Sequence, residues 1–201
     1  MIGLDPDLGA VLAAKRIAKK LSAPIQFVVG DARSLPFKSQ QMDTLFSYSV
    51  LQHLSKSDCV HALRSAKRVA KPNAQFLIQM PNRYGVRSMY HLAKRNFREG
   101  NGFEVRYYSS FELKRLFENE VGETEVLVDG FFGLGIQKTD LDLMPLANRM
   151  IIHSSEFLKK VCDLIPACHR VADSLYIHSH TRPDIDISCN QKAISTRPEN
   201  T

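Results

Sequence analysis

The sequence predicts an α/β protein, a mostly parallel sheet with flanking helices, and three observations carry that prediction. Short apolar runs rich in β-branched or aromatic residues recur along the chain: "MIGL", "IQFVV", "DTLFSYSV" and "QFLIQM". The segments joining the first two and the last two repeat apolar residues at steps of three and four, the spacing of one helix face. Helices of about 12–15 residues between strands imply βαβ units, and hence parallel strands buried on both faces.

Taken in order, the first strand is "MIGL". Leu8, Val11, Ala14, Ala18 and Leu21 then line a helix, with Asp7 standing where an N-cap would and Pro24 beyond the end. "IQFVV" (25–29) is the second strand and "DTLFSYSV" (43–50) the third. Ser55 followed by Asp58 opens the next helix like a capping box, and Val60, Leu63, Ala66 and Val69 or Ala70 form its apolar side. Pro72-Asn73 is expected to stop that helix ahead of the strand "QFLIQM" (75–80). Beyond Pro81 the rhythm loosens. "YGVRSMYHLAKRNF" reads as helix, "NGFEVRYYS" as a link, and "SSFELKRLFENE" as a helix capped by Ser109 or Ser110. "TEVLVDGFFG" (124–133) is a strand, "LANRMIIHSSEFLKKVCDLI" one or two helices, and "DSLYIHSH" (173–180) a last strand. The domain is expected to span residues 1–181. Residues 182–201, polar and without periodicity, are expected to be a disordered tail.

Composition narrows the class. With 201 residues, 44% of them hydrophobic and 24% charged, the chain suits one soluble domain. No apolar stretch approaches the roughly 18 residues needed to span a bilayer. Asp5 and Asp7 stand where a secretory signal would be basic and then apolar, so a cytoplasmic location is expected. Cys59, Cys162, Cys168 and Cys189 form no CxxC pair and are expected to be free thiols. Cys162, Cys168 and His169, with His178 and His180 downstream, match no familiar zinc spacing, so no metal is expected. The first 120 residues hold 19 Lys and Arg against 10 Asp and Glu, and the remainder 8 against 11. The basic clusters "KRIAKK", "RSAKRVAK" and "KRNFR" fall on helices as solvated faces, or they attract an anionic or lipid-linked substrate. Nothing resembles a nucleic-acid-binding module. Oligomeric state is not readable.

In an open parallel sheet, ligands bind beyond the carboxyl ends of the strands. Those ends carry Asp5, then "GDARSLPF" (30–37), then Ser49 to His53, then Pro81 to Arg83. A carboxylate at Asp5 can accept both hydroxyls of a ribose, and one at Asp31 can accept from an exocyclic amine. Each is also an ordinary turn or cap residue.

The ordered series is more specific than its parts. "GLDPD", "GDARSLPF", "DTLFSYSVLQHL" and "AKRVAKPNAQFLIQMPN" together resemble the class I methyltransferases that use S-adenosylmethionine, of the methyltransferase type 11 kind. The resemblance is specific to about Asn82 and looser to about His180. It implies a Rossmann-like fold and S-adenosylmethionine as cofactor. It further implies that Asp5 holds the ribose and Asp31 the adenine amine, with the Ala32 N–H near the ring. Ser49 and Val50 border the methionine part, and Gln52 and His53 face cofactor or substrate. His53 is a candidate general base for an oxygen or nitrogen acceptor; capping or supporting a loop is its alternative role. Tyr84, Tyr90, His91, Tyr107 and Tyr108 fall where such folds shape the acceptor pocket, or they simply pack. Segments 84–122 and 140–170 would be substrate-side or covering helices.

The sequence departs from the family in one place. The glycine-rich turn of the family belongs to a strand and helix that would precede Asp5, and "GFFGLG" (130–135) sits too late to replace it. That strand lies centrally in the family, between those formed here by "MIGL" and "DTLFSYSV". The sequence therefore reads as N-terminally truncated, and those two strands should either pair directly or leave a gap. The expected function is methyl transfer to a small-molecule O, N or C acceptor, impaired in this chain. The alternatives are a non-catalytic remnant or interaction module, and a dinucleotide-dependent oxidoreductase. The last does not explain "GDARSLPF" or "VLQHL".

Overall fold

The computed structural model of the chain describes residues 1–132, 141 and 144–182. Asp7 begins the first helix by accepting the Ala10 amide, and Lys19 and Lys20 in its last turn oppose the partial negative charge there. This helix, α1 (Leu8–Lys20), connects β1 (Ile2–Asp5) to β2 (Gln26–Val29), which pair in parallel with Asp5 beside Val29. The expected strand–helix–strand opening is present.

A second sheet holds four strands in the order β3 (Met42–Tyr48), β4 (Ala70–Pro81), β6 (Ser174–Thr181), β5 (Gly122–Gly130). β3 and β4 are parallel, and β6 alone runs against its neighbours β4 and β5. Four helices accompany it: α2 (Lys56–Val69), α3 (Val86–Lys94), α4 (Ser110–Glu120) and α5 (Leu146–Leu164). β1 and β3 do not pair, so the two sheets stay separate. Direct pairing of these two strands, one of the two outcomes expected from the sequence, is not found.

One face of the larger sheet makes the core. Phe76, Ile78 and Met80 of β4 and Leu175 and Ile177 of β6 pack against Cys59, Ala62 and Leu63 of α2 and Leu113 and Phe117 of α4. The neighbouring positions on each strand point the other way, as the period of two requires. Phe46 and Tyr48 on that second face are 64% and 42% exposed.

Two element boundaries differ from expectation. β4 begins at Ala70, upstream of Pro72-Asn73, where a helix stop and a new strand were expected to be separate events. Register slips between Met42 and Thr44 of β3, Asn73 takes a left-handed φ of 61°, and the extra residues form a bulge that tolerates the proline. Thr181, far along the chain, fixes the bulge: its hydroxyl donates to Lys71 O and accepts the Ala74 amide. The helix expected over residues 84–97 is shorter, because Asn96 and Phe97 both turn left-handed after α3. Ser109 caps α4 in a full capping box with Glu112, as the sequence suggested. Leu146–Leu164 make one helix, followed after Ile165 by a 3-10 turn at Pro166–Arg170. The expected tail beyond 182 and residues 133–135 of "GFFGLG" lie outside the described residues.

Gly85 lets α3 start against β6. A Cβ there would overlap the Asp173 backbone and its carboxylate. Gly85→Ala is therefore expected to destabilise the fold by about 1–3 kcal/mol, as overpacking of a tight contact does. A urea melt with a lowered midpoint and unchanged slope checks it.

Candidate functional site

The carboxyl ends of β1 and β2 bring together two acids 26 positions apart. Asp5 ends β1, and the Gly30 amide just past β2 donates to its carbonyl, which places Asp31 beside it. Asp5 is exposed, and its Oδ1 accepts the Asp7 amide at 2.8 Å, closing a tight turn into α1. This supplies the turn role considered for Asp5 and leaves its carboxylate at the sheet edge.

Asp31 is held by Arg33. The Arg33 amide donates to Oδ1 at 2.8 Å and its guanidinium grips both carboxylate oxygens, with the shortest contact 2.6 Å. These hydrogen bonds keep the Asp31 carboxyl below the usual carboxylate range. Arg33 also reaches Asp58 at the start of α2. An exocyclic amine meeting Asp31 would share an acceptor already occupied from one side. Leu35 and Phe37 continue the attachment: the Leu35 amide donates to Ser65 Oγ, and Arg68 donates to the carbonyls of both residues. Ala32 packs against the core at this junction.

In the larger sheet, β3 ends in Tyr48 and then Ser49, whose φ of 56° is unusual for a serine. Gln79 of β4 supports that turn. Its Oε1 accepts both the Ser49 amide (2.9 Å) and the Ser49 hydroxyl (2.8 Å), and its Nε2 donates to Ser174 Oγ at 2.6 Å. Ser174 in turn donates to Asp129 Oδ2 at 2.6 Å. A continuous polar chain thus crosses the ends of β3, β4, β6 and β5. The sequence reading named Ser49 and missed the other three. A buried glutamine inside the apolar run "QFLIQM" was the available signal. Tyr48 and Tyr176 lie alongside with ring centroids 6.3 Å apart. Burial, and next the charge of Asp129, push both phenols up. Val50, after Ser49, is half exposed.

Gln52 and His53 sit in a 3-10 turn over Leu51–His53. The His53 ring stacks on Phe103, centroid to centroid 4.2 Å, and its Nδ1 lies 2.8 Å from the Phe103 carbonyl. A carbonyl only accepts, so Nδ1 carries the proton and Nε2 is the basic nitrogen, 3.2 Å from the Gln52 side-chain amide. Arg106, buried, ties the same turn down: its amide donates to Gln52 O, and its guanidinium to the carbonyls of His53, Gly102 and Glu104. His53 thus supports the 101–106 loop whatever else it does.

The five aromatic candidates scatter. Tyr108 is in the core, and Tyr107 is partly buried with the Arg95 guanidinium 5.4 Å from its ring centre. Tyr84 and Tyr90 are exposed, with Lys94 over the Tyr90 ring and His91 edge-on to it. Several basic residues have structural partners: Arg64 pairs with Glu120, and Lys71 with Asp43. Among the described residues, no group of three or more His, Cys, Asp or Glu side chains gathers as a metal would need. No described helix is long and apolar enough to cross a membrane.

Residues 1–78 match the family described as a methyltransferase domain. No curated protein matches the chain. Among solved structures, it resembles an S-adenosylmethionine-dependent methyltransferase of Methanosarcina mazei (13% identity, 91% of this chain and 82% of that one, TM-score 0.58). It also resembles the YcgJ protein of Bacillus subtilis (21%, 90% and 82%, 0.56). A third is a Thermotoga maritima methyltransferase described as a possible histamine N-methyltransferase (16%, 90% and 72%, 0.55). These identities speak for the fold alone. The chain thus matches a methyltransferase-domain model over residues 1–78 and shares over nine-tenths of its length the fold of S-adenosylmethionine-dependent methyltransferases.

Proposed function

We propose that the chain serves methyl transfer from S-adenosylmethionine to a small-molecule oxygen, nitrogen or carbon nucleophile, and that over residues 1–182 alone it does so weakly. The single observation behind this is the pair of carboxylates, Asp5 and Asp31, set side by side at the ends of adjacent parallel strands. That arrangement fits the cofactor: an exposed carboxylate suits a ribose diol, and a second one a short distance along the edge suits the adenine amine. In this reading Asp5 binds the ribose, while Asp31, oriented by Arg33, and the Ala32 amide hold the base. Ser49, Val50 and Gln52 border the methionine end. The cofactor supplies an activated methyl group, so the protein's contribution is chiefly to bring donor and acceptor into contact.

His53 would act through Nε2, because Phe103 keeps the proton on Nδ1; an acceptor hydroxyl or amine would have to displace the Gln52 side chain to reach it. Helices within 84–122 and 140–170 would cover the acceptor. The excess of basic residues before position 120 favours an anionic or lipid-linked one.

Weak activity follows from what the cofactor's carboxylate end would meet. Among the described residues no glycine-rich strand-to-helix turn faces Asp5 or Ser49, so no row of backbone amides receives that end. The separated sheets favour a second reading, a non-catalytic module that retains the fold. Titration of the chain with S-adenosylmethionine by calorimetry tests the primary reading. Affinity weaker than micromolar is expected, with adenosine competing. Micromolar binding with turnover would overturn the impairment, and no binding even at millimolar ligand would favour the module.

A further inference from the structure

We propose that one flank of α1 seats the chain on an anionic lipid bilayer. Leu8, Leu12, Lys15 and Lys19 follow at steps of four, three and four, so they share a stripe along the helix, with Arg16 beside it. Val11 and Ala18 mark the side of α1 that is buried against β1 and β2. The stripe lies to one side of that contact: Leu8 is 59% and Leu12 49% exposed. Leu12, Lys15, Arg16 and Lys19 also line, with Ala23 and Ile25, an open groove of about 510 Å³ beside the helix, which is room for a phospholipid headgroup.

The charge on this helix has no counterpart within the fold. α1 carries Lys15, Arg16, Lys19 and Lys20 and no acidic residue. Among the described residues, none of the four side chains makes a hydrogen bond or an ion pair; Lys19 and Lys20 oppose the helix dipole from solvent. The other two basic clusters are largely engaged. Arg64 pairs with Glu120, Lys71 with Asp43, and Arg68 donates to the carbonyls of Leu35 and Phe37. Lys94 lies over the Tyr90 ring, and Arg95 donates to Val105 O. The cluster on α1 is the one left wholly to an outside partner, and the pattern around it selects that partner. A nucleic-acid backbone would meet the cations and leave Leu8 and Leu12 in water. A bilayer containing anionic lipid meets both, with headgroup charge at Lys15, Arg16 and Lys19 and the acyl boundary at the leucines. A helix that is basic and apolar along one stripe is the form such surfaces attract.

Flotation with vesicles of phosphatidylcholine, with and without phosphatidylserine, tests this. Binding is expected only where phosphatidylserine is present, and it should fall as salt is raised, since exposed charges are screened. Lys15→Glu with Lys19→Glu is expected to weaken it about 25-fold or more, at roughly fivefold per charge. Lys38→Glu with Arg98→Glu changes the net charge equally at two exposed cations elsewhere, and most of the binding should survive it. The chain has no tryptophan, so Leu12→Trp reports that position alone, and its emission should shift to the blue on the anionic vesicles. Circular dichroism checks that every variant keeps its helices. Absence of binding to the anionic vesicles at low salt would overturn the proposal. So would equal losses from the two charge pairs, which would reduce the effect to net charge, and so would unshifted emission from vesicle-bound protein. Retention of random-sequence duplex DNA through Lys15 and Lys19, without vesicle binding, would assign the face to nucleic acid instead. No methyl donor enters these readouts, so the outcome is independent of the methyl-transfer reading.

Discussion

Asp173→Ala is expected to lower the unfolding free energy by about 2–5 kcal/mol. Asp173 is buried just before β6, where three elements meet. Its Oδ1 accepts the Arg87 amide at 2.7 Å in the first turn of α3, and its Oδ2 accepts the Phe132 amide at 2.6 Å just past β5. Its own amide donates to Gly130 O, and its carbonyl accepts from Asn82. Alanine keeps the backbone bonds and removes both carboxylate bonds. Each orphaned amide costs about 1–3 kcal/mol, and the loss of a negative charge at a helix N-terminus adds to that. Asp173→Asn separates the terms. Its amide oxygen can still serve one donor, while its NH2 faces the other, so a smaller loss is expected. Urea unfolding of both variants checks the order, and equal losses would point to packing alone.

The local part of this structure was legible in the sequence because its causes are local. Asp7 caps α1 and Ser109 caps α4 at positions that pattern alone identifies, and the strand–helix alternation gave the parallel β1–β2 and β3–β4 pairs. The two acids at strand ends were legible for the same reason: each follows directly on an apolar run. What the sequence hid depends on partners far along the chain. Thr181 stabilises a bulge in β4 from 110 positions away, and the Ser49–Gln79–Ser174–Asp129 chain joins the turn after β3 to residues of β4, β6 and β5. No periodicity reports such a contact. His53 lies between these cases: its place beside the strand end was readable, whereas its stacking on Phe103, 50 residues on, was not.

Asp5→Ala is expected to reduce affinity for S-adenosylmethionine by about 100-fold or more. Two hydroxyl hydrogen bonds to a carboxylate are at stake, each worth about 1.5–3 kcal/mol, and about 3 kcal/mol already exceeds a factor of 100. The alanine variant alone would be ambiguous, since Asp5 also accepts the Asp7 amide and so shapes the entry to α1. Asp5→Asn resolves this. Its side-chain oxygen still accepts from Asp7, so the turn and the helix survive, while the charge that would bind a diol is gone. Saturation-transfer NMR of S-adenosylmethionine and of adenosine reads affinities in the weak range expected here, and circular dichroism follows the helix. A residue that only shapes the turn predicts the reverse pattern: Asn binds like the parent and Ala loses helix. A residue that grips ribose predicts that Asn loses most of the binding with helix content intact, and that 2′-deoxyadenosine barely discriminates between parent and variant. Asp31→Ala should cost less, nearer tenfold, because one amine bond is lost and Arg33 already holds that carboxylate from the other side.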